Sequence, residues 1–210
     1  MKLIVITPSK DKDGEIAMAT KMFESGLMTL HIRKPKYSTN QLSEYIKEIP
    51  AIYHDRIVIH SHHKLALKYN LKGIHLTSVH LVKKWKYWFV RQRLKLKFHS
   101  TSKSRSYSRL QYVYTKEEYD FNYFLVGTMY NNITGGFYSG YYEEGVLAAI
   151  KNCNKNLVAR GGTTATAVKK TADYGFYGIA FNSYIWESET PYENFLKIIS
   201  AFKENHIELE

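Results

Sequence analysis

Short apolar runs alternate with segments of helical spacing along the whole chain, and that alternation sets the fold class. Strand-like runs lie at Leu3–Thr7, Met28–Ile32, Ile57–His60, Gly73–Leu76, Leu94–His99, Tyr123–Gly127, Leu157–Ala159 and Gly178–Phe181. Between most of them, apolar residues return every three or four positions. Asp13–Ser25 carries Ile16, Ala17, Ala19 and Phe23, with Gly26 placed to stop the helix. Ser38–Lys47 carries Leu42, Tyr45 and Ile46 behind a Ser-Thr-Asn start. Lys64–Tyr69 and Thr164–Tyr174 follow the same plan. Pro191–Glu204 opens on a proline suited to a first turn, with Thr190 or Ser188 as its cap.

Eight strands alternating with helices predict a parallel sheet, and eight strands close into a barrel. The expectation is an α/β fold, a (β/α)8 (TIM) barrel forming a single domain over residues 1–210. The rival is an open doubly wound sheet, which carries its phosphate loop after the first strand. Here Thr7–Asp13 is followed by one glycine, Gly14. The glycine pair instead comes late, in Leu157–Ser183 (LVARGGTTATAVKKTADYGFYGIAFNS), which reads as strand, Gly-Gly turn, helix and strand. Without a Cβ, Gly161 and Gly162 let the backbone approach an oxyanion, and the next helix would aim its N–H groups at the same point. The bland alternative is an ordinary turn; the context favours an anion site and a phosphorylated ligand. The irregular stretch Tyr130–Tyr142 is a candidate lid.

Composition narrows the class further. The single cysteine, Cys153, excludes an intramolecular disulfide framework and suits a reducing cytoplasm. MKLIVITPSK is too briefly apolar for a signal peptide, and no later run approaches a bilayer's thickness, so no membrane partner is expected. The net charge is +11, and Arg56–Lys116 holds 15 of the 30 Lys and Arg residues with no Asp or Glu. Its densest part, KKWKYWFVRQRLKLK (Lys83–Lys97), mixes basic and aromatic residues as a nucleic-acid surface does. No nucleic-acid-binding motif accompanies it. The favoured reading is an outer helix with a solvated basic face and Trp85, Trp88 and Phe89 inward, so nucleic acid is not an expected partner.

Function in a parallel barrel sits at the carboxyl ends of the strands. HIRK (His31–Lys34), IHSHH (Ile59–His63), IHL (Ile74–Leu76) and KFHS (Lys97–Ser100) fall there. Strand alternation puts His31 with Arg33 on one face, and Lys97 with His99, while His60 and His75 fall at similar depths. Such imidazoles could contact an anionic substrate, shuttle protons, bind a transition metal such as zinc, or simply hydrogen-bond at the rim. No H-x-x-x-H pair or carboxylate partner supports the metal, and no metal ligands are assigned.

In this order the motifs resemble the thiamine phosphate synthase/TenI family. HIRK resembles Q-L-R-x-K. IHSHHKLALKYNLKGIHLTSVH is similar to I-N-D…A-L…G-V-H-L-G-Q. KFHSTS resembles G-x-S-x-H-S, VGTMYNNITGG resembles G-P-I-F-x-T-x-T-K, and ARGGTTATAVKKTADYGFYGIAFNS resembles A-I-G-G-I…A-G-A-x-G-V-A-V-x-S. The resemblance implies a barrel holding a thiazole phosphate. Synthases join that group to an aminopyrimidine diphosphate using Mg2+; TenI-type relatives shift a double bond and need no metal. The synthase's Mg2+ carboxylates after strands three and four fall here at Ser61 and His80. The glutamine of the second-strand motif is His31, its lysine falls at Pro35 beside Lys34, and the lysine of T-x-T-K is Gly135. The resemblance thus implies His99 as the acid/base group with Arg33 beside it as catalytic residues. Gly161, Gly162, Asn182, Ser183, Thr134, His31 and His60 would hold the phosphorylated substrate. No cofactor is expected, or Mg2+ if synthase activity is retained; a homodimer is an open option.

Overall fold

Eight strands run parallel in chain order around a closed barrel. They are β1 (Lys2–Ile6), β2 (Leu30–Ile32), β3 (Ile57–Ile59), β4 (Gly73–Leu76), β5 (Ser102–Tyr107), β6 (Tyr123–Val126), β7 (Leu157–Arg160) and β8 (Gly178–Phe181). The computed structural model describes residues 1–77, 80, 88, 101–130 and 141–210. Among these, the helices are α1 (Glu15–Glu24), α2 (Thr39–Glu48), α3 (Lys64–Lys68), α4 (Glu143–Asn152), α5 (Ala167–Asp173), α6 (Ser183–Trp186) and α7 (Pro191–Glu204). No helix among the described residues is long and apolar enough to cross a membrane. Contacts group the chain into two compact units, Ile6–Arg105 and Met1–Val5 with Ser106–Glu210.

In the Ile6–Arg105 unit, β2, β3, β4 and β5 pair in parallel succession. α1 buries Ala19, Met22 and Phe23, and it ends as the sequence predicts: Gly26 takes φ 100° and its N–H donates to the Phe23 carbonyl. α2 opens with a capping box. The Ser38 hydroxyl accepts from the Gln41 N–H, and the Gln41 side chain accepts from the Ser38 N–H.

The fifth strand is a correction. Leu94–His99, where the apolar run predicts it, lies outside the described residues, and the strand that pairs with β4 is Ser102–Tyr107. Its sequence, SKSRSY, has no apolar alternation to find, because two of its three buried positions, Ser102 and Ser104, are hydroxyls and the third, Tyr107, comes at its end. Close approach at Gly73 lets this strand in: a Cβ there would lie 2.0 Å from the Ser102 carbonyl oxygen.

An ion pair fastens α1 to the residues after β2. Lys34 Nζ lies 2.6 Å from Glu15 Oε2, with both side chains buried, and it also donates to the Lys10 carbonyl at 3.0 Å. Tyr45 of α2 donates to the other Glu15 oxygen. Burial first, then the Glu15 carboxylate, push the Tyr45 hydroxyl pKa upward, which keeps it a donor. Thus Glu15 is satisfied on both oxygens, as a buried carboxylate must be.

In the other unit, β6, β7 and β8 pair in parallel and β8 pairs with β1. Phe124, Val126, Leu157 and Ala159 pack with Tyr107, Leu110, Val113 and Met129. Tyr107 stacks on Phe124 at 5.0 Å, and Lys155 Nζ donates to its hydroxyl at 2.9 Å. α4 escapes the hydropathy pattern, since its buried positions are Val146 and Ala149 alone. At α7, Thr190 occupies the cap position but its side chain makes no capping hydrogen bond; instead Ser188 Oγ accepts from the Thr190 N–H. Of the aromatic residues expected inward at Lys83–Lys97, only Trp88 is described. It is 45% exposed, which corrects the inward packing expected of it.

Removing one member of the buried pair should be costly while neutralising both should not. Lys34→Met is expected to lose about 3–5 kcal/mol of stability at neutral pH by urea unfolding, because Glu15 is left charged and buried. Adding Glu15→Gln, which still accepts from Tyr45, should recover part of that loss.

Candidate functional site

Register in the first unit gathers three imidazoles. His31 in β2 pairs with Val58, and Ile59 at the end of β3 pairs with Ile74, which places His60 level with His75 of β4. His31 Nδ1 and His60 Nε2 lie 3.0 Å apart, and one donates to the other. The His60 and His75 rings stack at 4.1 Å and 22°, and His31 lies 5.7 Å from His75, centroid to centroid. His75 Nδ1 is 2.9 Å from the buried hydroxyl of Ser104 on β5. His31 and His75 are buried and His60 is partly exposed. The packing around the His60 ring, then the neighbouring His75 and His31, hold its pKa well below that of a free imidazole. The expectation that His60 and His75 share a depth is met. Sequence reasoning could not find Ser104, because the fifth strand was expected elsewhere.

Arg33 lies one residue beyond β2 and is exposed, while its N–H donates to the Thr7 hydroxyl at 2.9 Å. Its charge further disfavours protonation of His60. Lys34, adjacent to the position of the motif lysine, is not available for a ligand: Glu15 and the Lys10 carbonyl hold it.

Three further described histidines of this unit hold neighbouring segments. His62 Nε2 meets the Tyr37 carbonyl at 2.8 Å and its Nδ1 the Thr39 hydroxyl at 2.8 Å. His80 Nδ1 accepts from the Thr77 N–H at 3.1 Å. His63 Nε2 donates to the His75 carbonyl at 3.1 Å, and its ring packs 4.5 Å from His80. At the positions where the resemblance asks for Mg2+ carboxylates stand Ser61 and His80, and no Asp or Glu occurs between Arg56 and Lys116. Those residues do not fit a hard, oxygen-seeking ion.

The glycine corner belongs to the other unit. Gly161 and Gly162 take φ of 88° and 67°, a left-handed pair that few other residues adopt. A Cβ on Gly161 would lie 2.9 Å from Thr128 Cα and Cγ2. The chain is tied down around it: Met129 N–H donates to the Arg160 carbonyl and Tyr130 N–H to that of Gly161. Thr163 Oγ1 donates to the Ala180 carbonyl at 2.7 Å, fixing the corner to β8. The following helix differs from expectation, starting at Ala167, with the Ala167 and Val168 N–H groups spent on the Thr164 and Ala165 carbonyls. Those two groups are therefore not donors to a ligand, unlike the helix N–H groups that the sequence reading aimed at this point. Asn182 directly follows β8 and its carbonyl accepts from the Ile185 and Trp186 N–H groups; Ser183 opens α6. His99 and Thr134 lie outside the described residues.

Burial sets an acid limit on this architecture. Desolvation, then His80, lowers the His63 pKa from 6.5 to about 3. The unfolded chain therefore takes up this proton first as pH falls. The associated stability is complete above pH 6.5 and is lost between there and about pH 3, by up to ~1.4 kcal/mol per pH unit. Urea midpoints measured with chelator present should fall from pH 7.5 to pH 5, and less steeply in His63→Gln.

Known proteins share this architecture. A family model described as thiamine monophosphate synthase matches residues 3–185. No curated protein sequence matches the chain. A thiamine phosphate pyrophosphorylase from Bacteroides thetaiotaomicron is 27% identical, with 98% of this chain and 96% of that one covered at a TM-score of 0.69. The thiamine phosphate pyrophosphorylase from Pyrococcus furiosus is 17% identical, covering 97% and 96%, at 0.75. (S)-3-O-geranylgeranylglyceryl phosphate synthase from Thermoplasma acidophilum, 15% identical over 97% and 93% at 0.64, shares the fold. Matched to its model over nearly its whole length and built as its resemblance implies, the chain belongs to the thiamine monophosphate synthase/TenI family.

Proposed function

We propose that this barrel binds a phosphorylated thiazole at the Gly161–Gly162 corner and catalyses a TenI-type proton shift, without divalent-metal chemistry. The observation that carries this reading is the chemistry at the ends of β3 and β4. A hydroxyl and an imidazole, Ser61 and His80, stand where diphosphate displacement would need carboxylates for Mg2+, and His60 and His75 lie nearby in place of any acid. An aromatising double-bond shift needs only a group that takes a proton from one ring position and returns it at another. In this reading His99 is that group, Arg33 pairs with the substrate carboxylate, and His31 or His60 orients the ring. Gly161, Gly162, Asn182, Ser183 and Thr134 take the phosphate.

With the thiazole carboxylate phosphate as substrate, turnover followed by ultraviolet absorbance should persist in excess chelator. His99→Asn should lower kcat by on the order of 10²–10⁴ with little change in KM. Unchanged kcat in that variant defeats the assignment. Gly161→Val, which puts a branched side chain at a left-handed φ against Thr128, should raise KM at least about tenfold. That corresponds to losing one charge-assisted contact of ~1.5–3 kcal/mol, with circular dichroism checking the fold.

A second reading, synthase activity with atypical ligands, is favoured by the family model's description and by the pyrophosphorylase that is 27% identical. Incubating thiazole phosphate and the aminopyrimidine diphosphate with Mg2+ separates the two. Formation of thiamine phosphate at an ordinary enzymatic rate would reverse their order.

A further inference from the structure

The three imidazoles of β2, β3 and β4 have a geometry that general substrate contact does not require. We propose that His31, His60 and His75 form a binding site for one divalent transition ion of the zinc class, with a fourth position open at the His60 side. One nitrogen from each ring lies within 4.8 Å of the others. Tetrahedral zinc at about 2.0–2.1 Å from each nitrogen spaces its ligand atoms about 3.3 Å apart. The His31 Nδ1 to His60 Nε2 distance, 3.0 Å, is already close to that. An ion seated there replaces the hydrogen the two rings share, and the donating ring carries its proton on its other nitrogen, so neither imidazole changes charge.

The supporting shell fits as well. A ligating imidazole usually spends its second nitrogen on a hydrogen bond that fixes ring orientation. His75 does so through Nδ1 to Ser104 Oγ, a hydroxyl with no exposure, leaving Nε2 as its ligand atom. Strand positions hold His31 and His75, and the His60 N–H is fixed to the Ile32 carbonyl at 3.1 Å. The donor set selects the metal: imidazole suits zinc, cobalt, nickel and copper and not magnesium. Two ligands are buried and the third is partly exposed, so a fourth ligand, water or an anionic oxygen, enters beside His60. Three imidazoles with an open position is an arrangement of zinc sites that activate water or polarise a carbonyl. The proposal stands independently of the phosphate corner and of the proton shift assigned to His99; with the ion bound, His31 and His60 serve it in place of the thiazole ring.

The test is direct binding of the metal to chelator-treated full-length protein. Calorimetric titration with Zn2+ should give one site per chain at micromolar affinity or tighter, and Co2+ should give the visible absorption of a tetrahedral nitrogen site. His60→Ala should weaken Zn2+ binding by more than the ~10- to 100-fold that loss of an outer-shell partner costs. Ser104→Ala should weaken Zn2+ binding about tenfold, a loss that a purely structural hydroxyl would not cause, while keeping the Co2+ spectrum. His206→Ala, at an exposed histidine far along the chain, should change nothing. If His60→Ala does not fold by circular dichroism, His60→Asn takes its place, with the same expectation. No stoichiometric Zn2+ binding, or equal affinity in wild type and the His60 variant, overturns the site and leaves the three rings linked by protons alone.

Discussion

Parallel pairing in register is the constraint on which the candidate chemistry depends. β2, β3 and β4 are three or four residues long, so their ladders alone hold their relative height weakly. The ladder sets His31 opposite Val58, Ile59 opposite Ile74 and His75 opposite Ser104. A slip of one residue in any of these strands would turn its side chain to the other face. Close packing around the strands is what prevents the slip. Leu30, Ile32, Val58, Ile59 and Ile74 are all essentially inaccessible, and Gly73 lets β4 and β5 approach where any side chain would collide.

Charge is handled differently in the imidazole cluster and at the neighbouring lysine. At Lys34, a buried cation is matched by a buried anion and a carbonyl, and both are satisfied. Around His60, no carboxylate follows in sequence for many residues, and the neighbours are other imidazoles and the Arg33 charge. In that setting protonation of His60 is disfavoured, leaving imidazole lone pairs in place of charge. Such lone pairs are suited to a Lewis acid or to a proton in transit, and poorly suited to a diphosphate that brings its own hard metal.

Much of the fold was legible in the sequence because its elements depend on local signals. Gly73–Leu76, Gly178–Phe181 and Pro191–Glu204 have the expected bounds, since β-branched or proline-led patterns mark them unambiguously. β5 was not legible: apart from Tyr107 at its end, its buried residues are serines, and a strand that buries hydroxyls leaves little apolar trace. α4 was faint for a related reason, with two buried positions among ten. At the site, His31, His60 and the glycine pair could be named from strand ends and turn chemistry. Ser104 could not, because its role arises only from pairing between β4 and β5. Lys34 shows the converse. It sits beside a motif position and looks chemical, yet its partner Glu15 lies nineteen residues earlier, and only folding brings them together.

The approach of β4 to β5 has a further consequence for anyone who would redesign the imidazole trio. Position 73 tolerates no atom beyond hydrogen without displacing the Ser102 carbonyl, and that carbonyl begins the strand bearing Ser104. Mutational libraries that scan the His75 strand will therefore read a collapse at residue 73 as lost chemistry when it is lost spacing. Holding that glycine constant is the condition under which substitutions two residues onward report on histidine itself.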